Sequence, residues 1–143
     1  MQSDASLGKT IRDSILILIF EFLGTLFLAL LYNCTSQYFD FTGFLLGVFV
    51  LIIFGAKISG SHYNPAVTLA FMFRRDVGRF SRILGIAYII FQFGGAFCGC
   101  LLALLFNQDG GNLAVQEPVG EHVVQAMIAE AVGTFFLSFL YLT

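Results

Sequence analysis

Apolar residues fall into four long blocks with short polar stretches between them. Ile15–Tyr32 runs for 18 residues with one charge, Glu21. Phe41–Ala56 is interrupted only by small or hydroxyl residues, and extension to Ile58 brings it to spanning length. Ile83–Phe106 runs for 24 residues without a charge, and Val123–Leu142 for 20 with one, Glu130. A helix that crosses a bilayer needs about 20 apolar residues. The pattern predicts four spanning helices.

The stretch between the second and third blocks carries a further helix signal. Asn64-Pro65-Ala66 places a strong N-cap residue before a proline, which is favoured at the first helical position. The helix predicted from Asn64 to Phe73 has ten residues. At 1.5 Å per residue it is roughly 15 Å long, about half the hydrocarbon thickness. Arg74 and Arg75 follow at once and must reach water. A half-helix entering and leaving on one side, with its positive dipole end near the midplane, satisfies both constraints.

Composition agrees with a membrane class. Hydrophobic residues make up 58% of the 143 and charged residues 11%, against roughly 25% in soluble domains. The net charge of −2 carries little information, but the placement of charge carries much. Lys9, Arg12, Lys57, Arg74, Arg75, Arg79 and Arg82 all lie before the first span or between the second and third. Segments 33–41 and 107–122 hold no cation. The positive-inside rule therefore predicts that the N-terminus and the 57–82 segment face the cytoplasmic side.

The chain repeats part of itself. Glu21-Phe-Leu-Gly-Thr-Leu-Phe-Leu matches Glu130-Ala-Val-Gly-Thr-Phe-Phe-Leu at an offset of 109 residues. The two copies lie on spans predicted to run in opposite directions, the signature of an inverted-topology repeat. A second half-helix is expected near position 173, beyond Thr143, so the chain reads as an incomplete copy of the repeated unit.

These residues resemble the aquaporin and aquaglyceroporin family, the major intrinsic proteins. The likeness rests on Glu21-Phe-Leu-Gly-Thr and on Ser59-Gly-Ser-His-Tyr-Asn-Pro-Ala-Val-Thr. Gln92 followed by Gly94-Gly95-Ala96, and Glu130-Ala-Val-Gly-Thr, complete it. The resemblance implies an all-α, inverted-repeat bundle, of which four spans and one re-entrant half-helix are present. It implies a cytoplasmic N-terminal segment over 1–13 and a transmembrane domain over 14–143. The first repeat covers about 14–106 and the start of the second about 122–143. It also implies a homotetramer in a lipid bilayer with one pore per subunit.

The resemblance also assigns roles. Asn64, Pro65 and Ala66 form the pore motif. The Asn64 oxygen caps the half-helix, and its amide is left to donate to a passing water. Backbone carbonyls of Gly60, Ser61 and His62 line one side of the pore. Phe44, 20 residues before Asn64, falls at the second-span position of the narrow filter. Glu21 and Glu130, with Gln92, support re-entrant loops by accepting backbone hydrogen bonds; carboxyls at membrane depth are costly unless paired. Proton hopping is disfavoured because the half-helix dipole orients water outward from the centre.

Other features have plainer readings. Gly43/Gly47 and Gly95/Gly99 form G-x-x-x-G pairs suited to close helix crossing. Cys34, Cys98 and Cys100 show no metal-ligand or disulfide spacing. Asn33-Cys34-Thr35 is a sequon pressed against a span end, a poor glycosylation site. Asn107–Glu121 reads as a solvated connector. No nucleophile–base pair, phosphate-cradling loop, metal cluster or nucleic-acid-binding pattern appears, so neither enzymatic chemistry nor a cofactor is expected. The expected function is a channel for passive permeation of water and small neutral solutes such as glycerol, excluding protons and ions. The alternatives are a non-conducting structural half-channel or degenerate homologue within a larger membrane assembly, and a secondary transporter, which the lack of a paired ion site disfavours.

Overall fold

The computed structural model describes residues 2–36, 41–74, 80–106 and 122–143, with side chains from residue 12 onward and that of residue 36 left aside. Arg75, Arg79 and the 107–121 connector lie outside the described residues, so their expected roles have no structural counterpart here. The described chain forms five helices: α1 (Gln2–Ser36), α2 (Phe41–Ala56), α3 (Pro65–Phe73), α4 (Arg82–Phe106) and α5 (Val123–Leu142). All described regular structure is helical.

Three helices are long and apolar enough to cross a bilayer, over Arg12–Thr35, Arg82–Phe106 and Val123–Leu142. Two boundaries differ from expectation. α1 begins at Gln2 rather than near Ile15, because residues 2–14 contain no proline and nothing to stop helix propagation. α2 stops at Ala56 instead of extending to Ile58. There the Ile58 and Ser59 amides both donate to the Gly55 carbonyl at 2.9 Å, which closes the helix in a tight turn. With 16 residues, α2 is the shortest of the four apolar helices expected to span.

Contacts give the relative directions. Phe20 stacks on Phe54 at 5.2 Å, while Tyr32 meets Phe44 edge-on at 5.8 Å, so α1 and α2 run antiparallel. α1 and α4 run parallel: a Cβ at Gly95 would strike the Phe22 carbonyl, and one at Gly99 the Leu26 carbonyl. The two glycines bring the helix backbones together, as a G-x-x-x-G pair does where van der Waals packing drives association. The buried face of α4 (Gly85, Tyr88, Gln92, Gly95, Gly99 and Ala103) follows a three-and-four spacing. Met72 of α3 packs over Gly85 at the start of α4. α5 has no buried residue, and its last turn lies beside the end of α3.

The buried interior is mostly polar. Glu21, Thr25, Asn33, Ser59, Ser61, His62, Thr68 and Gln92 are buried beside Leu26, Tyr63, Val67, Tyr88 and Ala103. Phenylalanine, leucine and isoleucine face outward along the long helices. This is the arrangement expected where lipid, not water, is the surrounding medium, and every buried polar group must find an internal partner. Among the described residues, no buried side-chain nitrogen or oxygen lacks one.

Candidate pore-loop site

The segment from Ser59 to Asn64 joins the end of α2 to the start of α3 in a conformation that few sequences tolerate. Gly60 has φ +85°, Ser61 +53° and Tyr63 +46°. Two non-glycine residues in the left-handed region cost energy and persist only where their surroundings over-determine them. Each is held twice. Ser61 N donates to Ser59 Oγ at 3.1 Å, and Ser61 Oγ donates to the Ile52 carbonyl at 2.9 Å. Tyr63 N donates to Glu21 at 2.8 Å, and Tyr63 Oη to the Leu51 carbonyl at 3.2 Å.

Glu21 is the hub. It is fully buried, and its two oxygens accept four hydrogen bonds. Oε1 accepts from Ser59 Oγ at 2.6 Å and His62 N at 3.1 Å; Oε2 accepts from Tyr63 N and Gln92 Nε2, both at 2.8 Å. A carboxylate answered by four donors is an anion whose lost hydration is replaced by fixed protein dipoles. One turn along α1, Gly24 leaves the room in which the Tyr63 ring lies; a Cβ there would overlap the ring. Gly55 does the same on α2, where a Cβ would strike Tyr63 Oη and Ser61 Oγ. Thr25 Oγ1 donates to the Glu21 carbonyl at 2.7 Å. Glu21, Gly24 and Thr25 thus bind the loop, admit its aromatic ring and fasten their own turn.

Gln92 carries the network onward. Its Nε2 also donates to Thr68 Oγ1 at 2.9 Å, in the buried first turns of α3. Thr68 Oγ1 donates to the Asn64 carbonyl at 3.1 Å and shares a 3.2 Å hydrogen bond with His62 Nδ1. Thr68 Oγ1 thus joins the Asn64 carbonyl, the Gln92 amide and the His62 ring. The His62 ring is stacked on Phe71 at 4.4 Å and flanked by Phe80 and Tyr88, each at 5.3 Å. Tyr88 Oη donates to the Ser59 carbonyl at 2.8 Å.

Asn64 is the N-cap of α3. Its backbone is extended, at φ −150° and ψ 124°, and its Oδ1 accepts from Ala66 N at 2.8 Å, with Pro65 at the first position. The oxygen is occupied by the cap, so the half-buried side chain presents an amide that can only donate. At the other end of α3, Arg74 Nη1 donates to the Leu142 carbonyl at 2.7 Å, a cation at the C-terminal end of α5.

The other residues singled out from sequence are placed as follows. Gly60 is exposed, whereas Ser61 and His62 are buried. Phe44 is half-buried against Tyr32, at the end of α1 and α2 away from the loop. Glu130 faces outward on α5, so the structure gathers Glu21 and Gln92 around the loop but leaves Glu130 outside. Asn33 is buried within α1 with its amide on the Ala29 carbonyl at 2.8 Å, an arrangement closed to glycosylation. Ser59, Tyr63 and Thr68 stand in the sequence motif without a role of their own, and Tyr88 and Tyr141 carry none from the sequence. For Tyr88 and Tyr141 a signal existed, because a phenol in an apolar span needs a hydrogen-bond partner.

Comparison with known proteins agrees with this geometry. The family model described as major intrinsic protein matches residues 9–143. An aquaporin PIP-type of Atriplex canescens is 40% identical over 95 residues, covering 63% of this chain and 32% of that protein. Nodulin-26 of Glycine max is 38% identical over 92 residues, covering 64% and 32%. Aquaporin NIP1-1 of Zea mays is 36% identical over 96 residues, covering 66% and 33%. The match spans about a third of the length of these curated relatives. No solved structure matches the chain. A family match over nearly the whole chain, on a multi-pass helical membrane protein with this loop, identifies it: the chain belongs to the major intrinsic protein family.

Proposed function

We propose that this chain forms part of a membrane channel for passive permeation of water and small neutral solutes such as glycerol, with protons and ions excluded. One observation carries the reading. Asn64 spends its oxygen on Ala66 N and keeps a donor-only amide at the positive end of a short helix. A donor there, backed by the helix dipole, orients a water oxygen toward itself and disfavours cations. In this reading Asn64, Pro65 and Ala66 are the pore motif, and the Gly60, Ser61 and His62 carbonyls offer acceptors along one wall. Phe44 contributes to the filter, and Glu130 supports a second re-entrant loop. The N-terminus faces the cytoplasm and the assembly is a homotetramer.

A second reading is a structural half-channel or degenerate homologue within a larger membrane assembly that does not conduct. Stopped-flow light scattering of liposomes carrying the intact protein separates the two. The channel reading expects osmotic water permeability well above that of empty liposomes, and glycerol uptake in the same vesicles reports the solute range. Permeability equal to that of empty liposomes supports the structural reading.

A further inference from the structure

The last turn of α5 reaches the loop by one polar contact that the family motif does not contain. Tyr141 Oη donates to the Ser61 carbonyl at 2.8 Å. Ser61 itself is pinned by its own amide, its hydroxyl and a left-handed backbone, so its carbonyl direction is fixed. Tyr141 is half-buried, and its neighbour Leu142 is tied to Arg74. The phenol is therefore held from both sides: a helix end fastened to Arg74 and an acceptor that cannot turn away.

We propose that Tyr141 is a conduction-limiting residue, its hydroxyl occupying the Ser61 carbonyl that a permeating water would otherwise use. This rests on the channel reading above. A file of water crosses a pore by exchanging water–water for water–protein hydrogen bonds at successive acceptors. The phenol takes one of the two lone pairs of that carbonyl, so a water must displace the Tyr141 hydroxyl or bond through the remaining lone pair beside the ring. The ring has no charge to give up at neutral pH, so the effect is steric and hydrogen-bonding in origin.

The test uses the intact protein in liposomes, with water permeability divided by the amount reconstituted. Tyr141→Phe should raise permeability per molecule roughly threefold to tenfold, the range set by one neutral hydrogen bond. Tyr141→Leu, which also removes the ring, should raise it further. A tyrosine that merely braced the fold would do the opposite, lowering both permeability and the thermal unfolding midpoint. Isotope-edited infrared spectroscopy of a ¹³C=O label at Ser61 gives a readout independent of conduction. The band should move to higher frequency in Tyr141→Phe. A conducting wild type with an unchanged or slower Tyr141→Phe overturns the inference, as does an unmoved Ser61 band. If wild type and Tyr141→Phe are both silent while the Ser61 band moves, the contact stands and the channel reading is overturned; a silent wild type in which Tyr141→Phe restores conduction supports both.

Discussion

Glu21 and Tyr63, 42 residues apart, meet through a carboxylate oxygen and a backbone amide at 2.8 Å, while the Tyr63 ring lies over Gly24 one turn beyond. This pairing fixes the re-entrant loop. The carboxylate holds the left-handed residue by its N–H, and the glycine admits the side chain that this backbone throws toward α1.

Glu21→Gln should destabilise the protein by about 2–4 kcal/mol. The amide keeps the shape, removes the charge and turns an NH₂ toward groups that are themselves donors. Thermal unfolding in detergent micelles, followed by circular dichroism, measures the loss. An unfolding midpoint equal to wild type would show that the four donors do not depend on the anion.

Gly55→Ala and Gly24→Ala should each cost about 1–3 kcal/mol, because the added methyl meets Tyr63. They differ in their rescue. At Gly55 the nearest obstacle is Tyr63 Oη, so Tyr63→Phe should recover part of the loss. At Gly24 the obstacle is the ring, which Tyr63→Phe keeps. Equal rescue of both variants in a double-mutant cycle would contradict this geometry.

Gly95→Ala should be worse than either, with a cost of about 3 kcal/mol or more or a failure to assemble. Its methyl would meet the Phe22 carbonyl, which belongs to a helix backbone and cannot rotate aside. Yield of monodisperse protein and its unfolding midpoint provide the measurement, and wild-type values for both would count against the close α1–α4 crossing.

Asn64→Asp should lower water permeability and weaken cation exclusion in liposomes. Aspartate can still cap Ala66 N, so the helix start survives, but the donor becomes an acceptor carrying negative charge. Unchanged flux without cation leak would remove Asn64 from the permeation path. A fall in stability on the scale of a lost cap, about 1 kcal/mol, is expected for Asn64→Ala but not for Asn64→Asp.

The element pattern was legible because its causes are local. The second and fourth apolar blocks coincide with α2 and α5, and Asn64-Pro65 marked the start of α3 through capping and proline geometry alone. The polar start of α1 was not legible as helix, since helical residues without an apolar stripe look like a tail. The glycines of α4 were readable as packing positions; which carbonyls they approach was not.

The twin Glu-x-x-Gly-Thr motifs mark the limit. Sequence alone established that the chain is a helical membrane protein of this family, with a helix starting inside a loop and a repeat of its first span. Run length, proline and a matching motif are properties of neighbours along the chain. Tertiary structure decided what the first copy holds. Glu21 is buried under four donors, drawn from residues 38 to 71 positions away, and Gly24 receives a tyrosine ring. Glu130 faces outward, and a Cβ at Gly133 would meet nothing within 4 Å among the described residues. Within the described residues the first copy of the five-residue pattern anchors a loop, while the second faces no other described segment. The difference lies in which distant segment packs against it, and no local signal specifies that.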